Sequence, residues 1–99
     1  MELPIDNATT PFLTIGQVAE AVGVQQAFLR RLDQENVVRP IRSEGGQRRY
    51  SRQQIDQVAK VCALVSEGLT LAGVRRVLEL EARVAVLETE LAEERRNNE

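Results

Sequence analysis

Arginines crowd one short stretch of this chain: Arg30 with Arg31, then Arg42, then Arg48 with Arg49 beside Gly45-Gly46. A guanidinium is a rigid fork of N–H donors that matches the O6/N7 edge of guanine or two oxygens of a phosphate. Nearby, Gln26 offers an amide that can pair with adenine, and Ala27 leaves room for close approach or for a thymine methyl. This is the chemistry of recognition. The chain has no histidine, which removes the usual general base and the usual zinc ligand. No catalytic residue, metal or cofactor is expected, and an enzyme is the least supported reading.

The formal charge of −2 hides an uneven distribution. Residues 1–24 carry no Lys or Arg and three acids, and residues 61–99 carry five bases against eight acids. Residues 25–60 carry eight bases against four acids, a local +4. A basic surface on an acidic protein still gains from counterion release at a polyanion, while the overall acidity limits non-specific adhesion.

Helix signals place these residues. Thr14 with Gln17 and Ser51 with Gln54 are capping boxes, Thr70 is a good N-cap, and Gln25 is a poor one. They predict helices over about Ile15–Val22, Gln25–Glu35, Arg52–Ser66 and Leu71–Arg95, with Asn97-Asn98-Glu99 fraying. Gly23, Asn36 and Gly68 stand where left-handed exits belong. Two short helices joined by a Gly-containing turn make a helix-turn-helix. Pro40 stops helix, and Ile41–Tyr50 reads as a hairpin wing with Gly45-Gly46 at its tip. On the second helix Phe28, Leu29 and Leu32 share one arc and face the core. Gln26, Ala27, Arg30 and Arg31 share the opposite arc.

Within the wing, side chains alternate, so Arg49 points opposite to Arg48 and Tyr50. One of the two arginines is free to be structural. Tyr50 packs under the wing, its hydroxyl reaching a ligand only from the rim. In the third helix Ile55, Val58, Ala59, Cys62 and Val65 form the expected apolar face. Cys62 there is a buried thiol rather than a sensor.

Farther on, Leu80, Val84, Leu87 and Leu91 are spaced four, three and four residues apart, the seam of a short coiled coil. Charged residues fill the other faces. This helix either pairs with a second copy or folds back onto its own domain; the charged flanks favour pairing. The expected fold is all-α with a small β-hairpin wing. Its parts are a flexible segment over 1–12, a winged helix-turn-helix over 13–80 and a dimerisation helix over 81–99. No signal peptide and no apolar run long enough to span a membrane are present, and a single cysteine suits a reducing cytoplasm.

The run Thr14-Ile15-Gly16-Gln17-Val18-Ala19, with Gly23-Val24, Leu29-Arg30, Asp33, Gly46, Arg48 and Tyr50, resembles the MerR family of bacterial transcription regulators. Residues 71–81 are similar to HspR-type heat-shock repressors within it, and the wing over 45–50 is also similar to the small regulator BldC. The resemblance implies a homodimer on repeated half-sites of double-stranded DNA at the nucleoid. The second helix would lie in the major groove and the wing Arg42, Gly46, Gln47, Arg48, Arg49 and Tyr50 would lie along the phosphates. It gives Arg30 the recognition-helix role and Arg48 the wing role. Leu32 and Gln47 stand where the family usually carries aromatics. The HspR similarity further implies a chaperone such as DnaK as co-repressor. Two rival readings are an excisionase-like DNA-bending factor, which the Leu80–Leu91 seam disfavours, and a module whose basic face meets an acidic protein.

Overall fold

The structure, a computed structural model, describes residues 8–98. Its elements are β1 (Leu13–Thr14), α1 (Ile15–Val22), α2 (Gln26–Gln34), β2 (Ile41–Arg42), β3 (Arg48–Tyr50), α3 (Arg52–Ser66) and α4 (Leu71–Asn97). Pro4 and Asn7, part of the flexible segment expected over 1–12, lie outside the described residues. Ala8, within that segment, accepts a backbone hydrogen bond from Gln53 N–H at 2.9 Å.

Helix starts follow from side chains within a turn's reach. Thr14 Oγ1 accepts from Gln17 N–H at 3.1 Å while Gln17 Oε1 accepts from Thr14 N–H at 2.8 Å, and Ser51 with Gln54 repeats this reciprocal pair. Thr70 Oγ1 caps α4 through Gly73 N–H. Gln25 begins α2 without a side-chain capping bond. Helix exits use left-handed residues: Gly23 at φ 83°, Asn36 at φ 61° and Gly68 at φ 103°. Asn36 pays the smallest steric cost among residues bearing a Cβ, so α2 can stop there without glycine.

The wing belongs to a three-stranded antiparallel sheet in the order β1-β3-β2. Leu13 pairs with Tyr50, Thr14 and Ile41 with Arg49, and Arg42 with Arg48. The residue pattern predicts no β1, since Thr14 reads locally only as the cap of α1. Thr14 does both jobs, closing a strand and capping the helix that follows.

The core gathers Val18, Leu29, Leu32, Val38, Tyr50, Val58, Val61, Leu71 and Val74 from every helix and the wing. The α3 face differs from expectation. Val61 is fully buried, whereas Ala59 and Val65 are exposed. The reason is that α3 packs against both α1 and α4, and the return of α4 turns the buried face toward Val61 and Leu64. Helix α4 runs to Asn97, past the expected fraying point, and about 40 Å in length at 1.5 Å per residue. Its distal half projects beyond the core, and the radius of gyration is 16.0 Å, against about 13 Å for a compact chain of this size.

Candidate nucleic-acid interface

Helix α2 divides as its pattern requires. Leu29 and Leu32 are buried and Phe28 packs against the core, while Gln26, Ala27, Arg30 and Arg31 are exposed. Arg31 Nε lies 2.8 Å from Glu35 Oε2, a surface pair one helical turn apart that solvent largely screens. Arg30 has no such partner among the described residues. An unpaired guanidinium and a free amide on one exposed face can read base edges in a groove wide enough for a helix.

The hairpin tip is set by backbone sterics. Gly46 N–H donates to Ser43 O at 2.8 Å and Gly46 takes φ 83°, a turn followed by a left-handed residue. Ser43 N–H donates to Gln47 O at 2.7 Å and Ser43 Oγ accepts from Gln47 N–H, so Gln47 is held by its backbone while its side chain stays exposed. Arg42 Nη1 donates to Gly46 O at 2.9 Å, bracing the tip.

Register decides what alternation left open. Arg48 and Tyr50 share one sheet face with their cross-strand partners Arg42 and Leu13, and that face meets the core and α2. Arg49 stands on the other face with Thr14 and Ile41, its Nη1 donating to Arg48 O at 3.1 Å. A cleft of about 400 Å³ opens between Thr14 and Ile15 at the start of α1 and Arg42, Gly46, Gln47, Arg48 and Arg49 of the wing.

Two of the expected contact residues are shielded, Arg48 in part, although it still lines the cleft, and Tyr50 fully. Arg48 is 17% exposed and its Nε donates to Asp33 Oδ2 at 2.9 Å, so it joins the wing to α2. Tyr50 is 0% exposed and its hydroxyl has no hydrogen-bond partner among the described residues. Its ring is closed over by the core, which leaves no rim from which the hydroxyl reaches a ligand. Burial raises the Tyr50 pKa above its ordinary value, against the lowering influence of Arg48. Cys62 is half-buried rather than fully buried as expected, and that burial raises its thiol pKa above the ordinary value.

The sequence points to Asp33 only through the family resemblance, without a role, and to Arg39 not at all. Asp33, 11% exposed in the last turn of α2, lies near three arginines: Arg48, Arg42 at 3.6 Å and Arg39 at 3.7 Å. An acid at the centre of a basic stretch was the available signal.

Comparison with known proteins decides the family. The family model described as MerR HTH family regulatory protein matches residues 13–81. The chain belongs to the MerR family. Among relatives of this MerR-family chain, a Streptomyces coelicolor protein carrying the name heat shock protein HspR is 39% identical over 85 residues. That match covers 85% of this chain and 56% of the relative. The HTH-type transcriptional regulator GlnR of Bacillus cereus is 29% identical over 73 residues, covering 74% of this chain and 57% of GlnR. The chain thus spans little more than half the length of these relatives. Its fold matches HiNmlR, a MerR family regulator lacking the sensor domain, in a crystal structure bound to promoter DNA. The TM-score is 0.64 at 23% identity, covering 88% of this chain and 81% of HiNmlR. The family is one of helix-turn-helix DNA-binding transcription regulators rather than of enzymes. No helix among the described residues is long and apolar enough to cross a membrane.

Proposed function

We propose that this MerR-family chain is a sequence-specific regulator that binds double-stranded DNA as a homodimer. Helix α2 enters the major groove, where Arg30 and Gln26 read base edges, Ala27 allows close approach and Arg31 reaches base or phosphate. Arg42, Arg49 and the backbone around Gly46 and Gln47 follow the phosphates, with Arg48 supporting them. The observation that carries this reading is the exposed Gln26–Ala27–Arg30–Arg31 face of α2 beside the arginine-lined cleft of the wing. HiNmlR, with the same fold, was crystallised on promoter DNA.

Pairing is supported by α4. Leu80, Val84, Leu87 and Leu91 are each between 48% and 53% exposed and lie on one stripe. The core-packed side of α4 is marked by Leu71, Val74 and Leu78. Lys60 Nζ meets Glu81 Oε1 at 2.7 Å, and the stripe, about a quarter turn round the helix from Glu81, stays exposed. Two copies would bury it, as a heptad seam requires. The likeness to HspR favours repression, with a chaperone co-repressor as the corresponding partner.

Selection of duplexes from a random-sequence pool by the purified chain, followed by footprinting and a salt series, tests the proposal. The expected result is a repeated half-site bound with strongly salt-dependent affinity. Absence of salt-sensitive affinity for any duplex would falsify it.

A further inference from the structure

Asp33 is one negative charge facing three arginines, and geometry ranks their claims. Arg48 makes a true hydrogen bond at 2.9 Å, with both partners largely shielded from solvent. Arg42 Nη2 and Arg39 Nε stay at 3.6 and 3.7 Å, beyond hydrogen-bond distance, on side chains 53% and 69% exposed. Arg42 and Arg48 are register partners on the sheet face that meets α2.

We propose that Asp33 is the positioning residue of the interface: it ties the wing to α2 through Arg48, and it holds Arg42 as a cation that moves onto a DNA phosphate when the duplex arrives. The inference rests on the DNA-binding reading above. Removing Asp33 leaves the largely shielded Arg48 guanidinium unmatched, so the short pair persists in the complex. The Arg42 pair is loose and screened, and a phosphate offers the same guanidinium a closer, bidentate partner. Because Arg42 Nη1 already holds Gly46 O, its other nitrogen can change partners without moving the hairpin tip. Arg39 is the less suitable cation, since its own backbone carbonyl is anchored by Gln54 Nε2 at 2.8 Å on the α3 side.

The sign of one substitution separates positioning from simple electrostatics. Asp33→Asn removes a negative charge beside the phosphates, and charge alone would tighten binding. Loss of the tether weakens it. Fluorescence anisotropy of the full chain is read on a duplex selected by the wild-type protein from a random pool, and on a scrambled duplex, across a salt series. Asp33→Asn is expected to bind the selected duplex about tenfold more weakly, the scale of one charge-assisted hydrogen bond. Asp33→Glu recovers most of that loss. Arg42→Gln lowers the salt slope by about 0.9, one phosphate's share, whereas Arg48→Gln weakens binding at an unchanged slope. The Asp33→Asn/Arg48→Gln double variant binds no more weakly than either single change. Tighter or unaltered binding by Asp33→Asn, or a slope lost with Arg48→Gln instead of Arg42→Gln, overturns the proposal.

Hydrogen exchange at the Ser43 and Gln47 amides, without DNA, reads the tether independently: both exchange faster in Asp33→Asn, and unchanged rates refute it. Circular dichroism confirms that the variants fold. If Asp33→Asn does not, Arg48→Gln carries the exchange test from the other side of the pair. A wild-type chain that binds no duplex refutes the DNA reading, while the exchange rates still judge the tether.

Discussion

The wing and the distal half of α4 are both exposed, and they are incomplete in opposite senses. Across the wing and the α2 face beside it, charges answer one another only in part. Arg48 meets Asp33, and Arg42 braces Gly46 and lies 3.6 Å from Asp33. One carboxylate facing several guanidiniums leaves a surplus of positive charge, with Arg30 unpaired among the described residues. In α4, Leu71 and Val74 are buried by the chain's own domain, whereas Leu80, Val84, Leu87 and Leu91 are half exposed. A surplus of guanidinium is completed by a polyanion, and an apolar stripe by another apolar stripe. The difference teaches that one helix can close a core with its first turns and leave an apolar stripe exposed along its later ones.

Truncating one leucine in the core beneath the wing and one in the α4 stripe breaks or sustains that contrast. Leu32→Ala, in the fully packed core, is expected to cost about 2–5 kcal/mol of unfolding free energy at every protein concentration. Leu87→Ala should cost stability that depends on concentration, since pairing contributes by mass action. Denaturant unfolding at low and high concentration compares them; a concentration-independent loss at Leu87 means that the tail folds back onto its own domain.

Leu87→Glu carries the same question to function. It should give monomers by light scattering and weaken binding to a two-half-site duplex about a hundredfold, because the second half-site contact is no longer intramolecular. An unchanged mass removes the seam. In the other region, Arg30→Ala should lose about 1–3 kcal/mol at the base pair it reads and relax preference there. Equal losses on selected and random duplexes would deny Arg30 a base-reading role.

The smallest effect is at Tyr50, beneath the wing. Tyr50→Phe deletes a buried hydroxyl that lacks a partner and should leave stability unchanged or raise it by about 1 kcal/mol near neutral pH. Burial raises the Tyr50 pKa above 10.0, so the folded state keeps a proton that the unfolded chain releases. Stability is therefore intact below the unfolded value and is lost as pH rises through the folded one. Tyr50→Phe should flatten this alkaline decline. Because the chain has one tyrosine, ultraviolet titration reports this site alone, and a titration at the ordinary value would contradict the burial.

Much of the interface was legible because its determinants are local. The reciprocal caps at Thr14–Gln17 and Ser51–Gln54, and the left-handed exits at Gly23, Asn36 and Gly68, depend on hydrogen bonds and backbone sterics within a turn. The division of α2 into a Leu29–Leu32 face and an Arg30 face follows from helical geometry alone. By itself, then, the amino-acid order determined the helices, the wing and the exposed arginine face.

Tertiary structure decided the rest, wherever distant segments had to meet. A two-residue strand at Leu13–Thr14 exists because β3 returns beside it. Val61 replaces Ala59 in the core because α4 folds back across α3. The division between Arg48 and Arg49 turned on strand register and on a carboxylate fifteen residues away, at Asp33. Hydrogen bonds within a turn are written in neighbouring residues, whereas partners across the chain are chosen only when the backbone has closed.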